Sequence, residues 1–151
     1  MGILVPHLHL LAMEQDRHPI KGDVLTLGQQ AVYGTLEEVK NIFISHGLKL
    51  KSLKEGFDVK NKIPDWVGTP REKFTNAHTV LTLLGAERVF VTDVSNYEEP
   101  DYLIDLNYDI SEEYYERFDV ILDVGTLEHV FDIPVAISNL IKMLKKGGRL
   151  F

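Results

Sequence analysis

Two periodicities alternate along the chain. Short apolar runs closed by glycine or polar residues give way to longer stretches in which apolar side chains recur every three or four positions. Asp23-Val-Leu-Thr-Leu27 sits between Gly22 and Gly28, and its bounded apolar character predicts a buried strand. Residues 35–50 follow with Leu36, Val39, Ile42 and Phe43 at helical spacing. Thr35 and Glu38 have the spacing of a capping box, and Gly47 supplies a stop. A second helix runs from Asn76 through Val80, Leu81, Leu83 and Leu84 to Gly85. Strands are predicted at residues 88–93, 102–106 and 118–123. Residues 133–146 predict an amphipathic helix with Val135, Ile137, Leu140, Ile141 and Leu144 facing inward. Gly147 and Gly148 close it, and residues 149–151 begin another strand. Near the N-terminus a helix is expected at about residues 9–17, ending before Pro19. Strands alternating with helices imply parallel crossovers, so the expected class is α/β with a doubly wound, mostly parallel sheet.

Residues 51–73 break this alternation. They are polar and interrupted by Gly56, Pro64, Gly68 and Pro70, which predicts a long loop or insertion. Phe57, Ile63 and Trp66 give it something to pack with, and a lid is the expected role. With 151 residues, 44% hydrophobic and 26% charged, the chain has the size and balance of one globular domain. It holds no cysteine, which excludes disulfides, thiolate zinc sites and thiol nucleophiles. A net charge of −7 argues against a nucleic-acid partner, which needs clustered Lys and Arg. The apolar start, residues 1–13, is too short to cross a bilayer and lacks the features of a signal peptide, so a cytoplasmic setting is expected.

The candidate chemistry gathers where strands end. In an open parallel sheet, ligands bind beyond the carboxyl ends of the strands. Gly28, Asp93, Asp105 and the pair Asp123 and Gly125 each fall at such an end. A carboxylate at Asp93 can accept both hydroxyls of a ribose, or it can serve as a turn aspartate or helix cap. Gly28 allows backbone to approach a ligand closely, or simply makes a turn. His7 and His9 could share a strand face and bind a metal, but no third ligand is near, so a surface or helical placement is expected. The acidic pairs Glu98-Glu99 and Glu112-Glu113 read as solvated.

The stretch FDVILDVGTLEHVFDIPVAISNLIKMLKKGGRLF, residues 118–151, resembles the fourth motif region of class I S-adenosylmethionine-dependent methyltransferases. There an FDxV strand leads to an LEHV turn, here Leu127 to Val130, and a helix runs on to LKPGGxL, with Lys146 in place of the proline. VFVTDVS, ending at Ser95, resembles the family's second-strand acidic motif, and Asp105-Leu106-Asn107 the third. The resemblance covers roughly residues 22–34 and 75–151. It implies a Rossmann-like sheet with first strands in the order 3-2-1-4, S-adenosylmethionine as cofactor, Asp93 at the ribose, and Asp105 and Leu106 at the adenine. Gly28, Gln29, Asp123 and Gly125 would complete the cofactor site. The first loop departs from the family: Leu27-Gly28-Gln29-Gln30 has one glycine of the usual glycine-rich turn, and no carboxylate stands near Thr26. Gln29 or Gln30 could bond the methionyl part of the cofactor, but without an ion pair.

Methyl transfer asks the protein mainly to align a nucleophile with an already activated methyl group and to exclude water. For a hydroxyl acceptor a general base helps. His129 lies just past the fourth strand, and histidine titrates near neutrality. Its other reading is a turn residue that shapes the pocket, and Glu128 reads as structural or cofactor-facing. The expected function is therefore methyl transfer to a small molecule, with an O-nucleophile favoured. A non-catalytic binding or interaction module is the alternative, and a nicotinamide oxidoreductase is disfavoured by the absence of a G-x-G-x-x-G turn. The family's sheet has seven strands, so residues 1–151 read as one partial domain, incomplete at the C-terminus after the start of a fifth strand. The fourth strand would then lie open at its edge and invite self-association.

Overall fold

The computed structural model describes residues 2–60 and 74–151. In chain order the elements are β1 (Gly2–Ile3), α1 (Val5–Arg17), β2 (Asp23–Leu27), β3 (Ala31–Thr35), α2 (Leu36–Ser45), β4 (Phe74–Asn76), α3 (Ala77–Leu84), β5 (Arg88–Asp93), β6 (Tyr102–Leu103), β7 (Phe118–Leu122), α4 (Ile133–Met143) and β8 (Leu144–Leu150). The class is α/β. Within what the sequence reads as one domain, the contacts gather into two compact units. One holds residues 21–29 and 87–151, and the other residues 2–20 and 30–86. No helix among the described residues is long and apolar enough to cross a membrane.

The first unit is built on a five-stranded sheet with neighbours in the order β6-β5-β2-β7-β8. Every pairing in it is parallel. Val24 pairs with Val89 on one side and Val120 on the other, so β2 is central. Alternate residues of a strand face opposite ways. Leu25, Leu27 and Ile121 share one face, and with Phe118 at the start of β7 they join a core closed by Ala136, Leu140 and Met143 of α4. Val24 and Val120 are buried as well, which is why β2 and β7 read as continuous apolar runs.

Three boundaries differ from those expected in this unit. The helix predicted over residues 133–146 stops at Met143, and β8 starts at Leu144. The backbone N–H groups of Glu116 and Arg117 donate to the carbonyls of Lys142 and Met143 (2.8 and 2.9 Å), capturing the groups that would otherwise face the next helical turn. The buried stripe of α4 is Ala136, Asn139, Leu140 and Met143, while Ile141 is exposed. The strand predicted over residues 102–106 ends at Leu103, because Asp105 Oδ1 accepts the Asn107 N–H (3.0 Å) and turns the chain. Finally, β7 is no open edge. Its residues Phe118, Val120 and Ile121 pair with Leu144, Arg149 and Leu150, and Asp123 N–H donates to the Phe151 carbonyl (2.8 Å).

The second unit has its own sheet, β1-β3-β4, with β1 and β3 parallel and β3 and β4 antiparallel. None of its strands was expected. The helix α1 starts at Val5, earlier than predicted, with the His7 ring accepting the Leu4 N–H (3.1 Å). The capping box of α2 forms as its spacing predicts: Thr35 Oγ1 accepts from Glu38 N–H, and Glu38 Oε2 accepts from Thr35 N–H at 2.7 Å. At the other end Gly47 takes φ +77°. Its N–H donates to Ile44 O, and Leu48 N–H reaches back to Phe43 O, a Schellman closure. Asn76 caps α3 through the Thr79 N–H (2.7 Å). The expected lid falls partly outside the described residues, which leave out residues 61–73 and with them Ile63 and Trp66. Residues 51–60 are tied down. Lys51 N–H donates to Leu83 O, Lys60 bridges Thr75, and the Asn76 amide donates to the carbonyls of Asp58 and Lys60.

Candidate functional site

Four parallel strands of the first unit end at one cavity of about 170 Å³. Leu27 and Gly28 come from β2, and Thr92, Asp93 and Val94 from β5. Ile104 to Asn107 follow β6, and Thr126, His129 and Val130 follow β7. Pockets that engulf a drug-sized ligand run to about 300–1,000 Å³. This one takes a group of sugar or purine size and leaves the rest of a larger ligand outside.

The rim is knitted by hydrogen bonds between strand ends. Gly28 N–H donates to Thr92 O (2.7 Å), closing β2 on β5. Gly28 has φ +76°, a conformation that glycine adopts without a Cβ penalty. Thr126 Oγ1 donates to Leu27 O (2.8 Å), which draws the segment after β7 over the end of β2. Asn107 does the same between β6 and β7. Its side-chain Nδ2 donates to Asp105 Oδ1 (2.8 Å), and its Oδ1 accepts the backbone N–H groups of Phe131 and Asp132, both at 2.9 Å. Asn139, fully buried on α4, donates to Leu106 O and Tyr108 O (3.2 and 2.8 Å), so the 105–108 turn is held from below as well.

Two carboxylates bear on the cavity, and each is half used. Asp93 Oδ1 accepts from Ser95 N–H and Ser95 Oγ (2.9 and 3.2 Å). Asp105 Oδ1 accepts from both nitrogens of Asn107. The second oxygen of each has no partner among the described residues, and no Lys or Arg lines the cavity. Glu98, close to Asp93, has its carboxyl pushed up by burial and then by the Asp93 charge. The local field is negative, which suits hydroxyl donors or a positively charged ligand and opposes phosphate.

The sequence-derived site residues divide in two. Gly28, Asp93, Asp105, Leu106 and His129 line the cavity. Gln29, Asp123 and Gly125 do not. The Asp123 carboxylate is consumed by the turn that follows it, accepting Thr126 N–H at Oδ1 (2.7 Å) and Leu127 N–H at Oδ2 (3.3 Å). Gly125 allows that turn with φ +101°. His129 and Glu128 are exposed on a short 3₁₀ turn, Leu127–His129, with His129 N–H donating to Thr126 O. Thr126 and Asn139 were not anticipated, and Asn107 was named only as the last residue of the 105–107 motif. Their one advance signal was polarity inside otherwise apolar surroundings, above all Asn139 on the buried stripe of α4.

Comparison of the chain with protein-family models, curated proteins and solved structures gives no match.

Proposed function

We propose that the cavity binds the nucleoside part of S-adenosylmethionine, and that the chain belongs to a class I methyltransferase-type enzyme acting on a small-molecule O-nucleophile. The observation that carries this reading is the pair of half-used carboxylates, Asp93 and Asp105, beside a cavity lined by no Lys or Arg. Carboxylate oxygens with spare lone pairs receive ribose hydroxyls. A cation-free acidic lining suits a sulfonium ligand and disfavours the pyrophosphate of a dinucleotide. Apolar Leu27, Ile104, Leu106 and Val130 offer a purine ring its surroundings. On this reading the sheet is Rossmann-like, and its first four strands, counted within the sheet, take the order 3-2-1-4; the neighbour order β6-β5-β2-β7 supports it.

The residues divide the work as follows. Asp93 holds the ribose, while Asp105 and Leu106 hold the purine. The cofactor, once bound, supplies an activated methyl group. His129, at the rim, accepts the proton of an acceptor hydroxyl at its imidazole as the oxygen becomes nucleophilic. Asn107 and Asn139 fix the turn that carries Asp105, so that its free oxygen keeps one direction.

One observation favours a second reading, a binding module of the same fold without turnover. The first loop offers the methionyl ammonium no carboxylate: Gly28 N–H is spent on Thr92, and Gln29 stands outside the cavity. Calorimetric titration tests the site, and an assay of methyl transfer separates the readings. S-adenosylmethionine and its demethylated product should both bind, and Asp93→Ala should weaken each by about 1–3 kcal/mol, the scale for hydrogen bonds to a charged group. Unchanged affinity in a folded Asp93→Ala variant would remove Asp93 from the site. Nicotinamide dinucleotide binding tighter than S-adenosylmethionine would overturn the cofactor assignment. Binding without transfer to any hydroxyl acceptor would select the second reading.

A further inference from the structure

Around the cavity of the first unit, exposed apolar side chains gather instead of scattering. Val94 lines the cavity and is 68% exposed. Tyr108 directly follows the lining residue Asn107, and Phe131 directly follows the lining residue Val130; they are 71% and 98% exposed. Tyr97, on the segment after β5, is exposed as well. Single apolar residues are ordinary on a surface, but a group of them beside a cavity marks a binding surface.

The fold holds the backbone under two of these rings. Tyr108 N–H donates to Asp105 O (3.2 Å), and Tyr108 O accepts from the buried Asn139 side chain (2.8 Å). Phe131 N–H donates to Asn107 Oδ1 (2.9 Å). Asn107 precedes Tyr108, so the same bond brings the two aromatic residues close together beyond the ends of β6 and β7. A surface built on fixed backbone gives up little freedom when a ligand lands on it.

Charge narrows the ligand. Residues 89–116 and 118–141, which supply all of the cavity lining beyond β2, contain no Lys or Arg. Glu98, Glu128 and Asp132 stand in these segments next to Tyr97, His129 and Phe131. Carboxylates without neighbouring cations repel an anionic ligand, and aromatic faces beside them attract a cation.

We infer that Phe131 and Tyr108 form the acceptor-binding rim of the cavity, and that the acceptor is a phenol that carries no negative charge. Its ring packs against theirs and its hydroxyl turns toward His129. That this phenol is the methyl acceptor rests on the cofactor reading above. A planar ring gains offset or edge-to-face contacts with Phe131 and Tyr108 that a sugar of similar size lacks. His129 lines the cavity two residues before Phe131, which puts the imidazole and the ring on one short segment.

The test uses the whole chain and probes that share one phenol ring and differ in charge: tyramine, para-ethylphenol and phloretate. Saturation-transfer NMR reads their binding without and with the demethylated cofactor product, and methyl glucoside is the sugar control. Tyramine and para-ethylphenol should bind in both conditions, and phloretate severalfold more weakly. Phe131→Ala and Tyr108→Ala should each weaken para-ethylphenol by about three- to tenfold and leave the affinity for the demethylated product unchanged. Both side chains are exposed, so both variants should keep the fold. Phloretate binding as tight as para-ethylphenol, glucoside binding as tight as either, or unchanged phenol affinity in both variants would each overturn the assignment. Displacement of the phenol by the demethylated product would put the phenol in the nucleoside cavity and overturn it too. Failure of the demethylated product to bind would remove the cofactor reading, while the phenol series still decides what the rim recognises.

Discussion

The two ends of the five-stranded sheet carry the same residue type and use it in opposite ways. At the starts of the strands, Asp23 receives the Arg88 guanidinium as a fork (2.7 and 2.6 Å). Asp119 accepts Lys145 Nζ (2.6 Å) and the Asp23 N–H (2.7 Å), and Lys145 lies 3.7 Å from Asp23. At the far ends, Asp93 and Asp105 meet no cation, and Glu98 adds a third negative group near Asp93. An aspartate at a strand end is therefore neither structural nor functional by position. Its partners decide. Paired charges lock strands to one another, whereas a carboxylate with a spare oxygen beside a cavity is available to a ligand.

The sharpest way to break the paired end is through Gly22. Its φ is +67°, and a Cβ there would stand 2.1 Å from Asp119 Oδ2. Gly22→Ala combines an unfavourable backbone conformation with displacement of Asp119, and should cost about 2–3 kcal/mol in denaturant unfolding. A cost below about 0.5 kcal/mol, the level of an ordinary surface change, would show that the contact yields easily. Asp119→Ala comes next. It leaves the Asp23 N–H without its acceptor and should lose about 1–3 kcal/mol of stability while ligand affinity stays unchanged. Asp93→Ala should do the reverse, and a variant that lowers both quantities equally would dissolve the distinction between the ends.

Acid should separate the ends by sign. The Arg88 hydrogen bonds hold the Asp23 carboxyl below its ordinary range against the opposing effect of burial, with Lys145 adding to the attraction. Its contribution is therefore present above about pH 4, the unfolded value, and is lost as pH falls through the lower folded value. Glu98 is raised, so its ionisation begins to cost stability as pH rises past about 4.3, and the cost is complete above its folded value. Unfolding measured from pH 3 to 7 should show Asp23→Asn flattening the acid limb. Glu98→Gln should gain stability near neutrality and change nothing at pH 3, and a loss at neutral pH would contradict the burial of that carboxyl. The smallest effect is Arg88→Lys. It replaces a fork with a point charge at an exposed site, so the unfolding midpoint should fall only slightly, and less at high salt.

What could be read in advance was what the chain decides locally. The cores of β2, β5 and β7 announce themselves as bounded apolar runs, and Thr35, Glu38 and Gly47 as caps whose partners lie within a few residues. The short strands of the second unit could not be read that way. Ala31–Thr35 is a strand because Gly2–Ile3 and Phe74–Asn76 lie beside it, and that sequence separation leaves no local trace. The end of α4 was misplaced for the same reason: Glu116 and Arg117 close it, far back in the chain. At the cavity, position after a strand found Gly28, Asp93 and Asp105, and the family resemblance added Leu106 and His129. Position also nominated Asp123, whose carboxylate the next turn takes. Asn107 stood in the third motif without a role, because its value depends on Phe131 and Asp132, which only folding brings to it.

The grip of Asn107 on those two backbone N–H groups has a dynamic consequence. Phe131 is 98% exposed, yet its amide is bonded to a side chain that is itself held at both ends. Side-chain and main-chain motion are thereby uncoupled at one residue. The ring is free to hop between rotamers in picoseconds to nanoseconds, while the backbone beneath it behaves as part of the rigid scaffold. A relaxation measurement on the Phe131 amide should report high order where a probe on its ring reports almost none, and amide exchange at 131 and 132 should be slow for a segment so open to water.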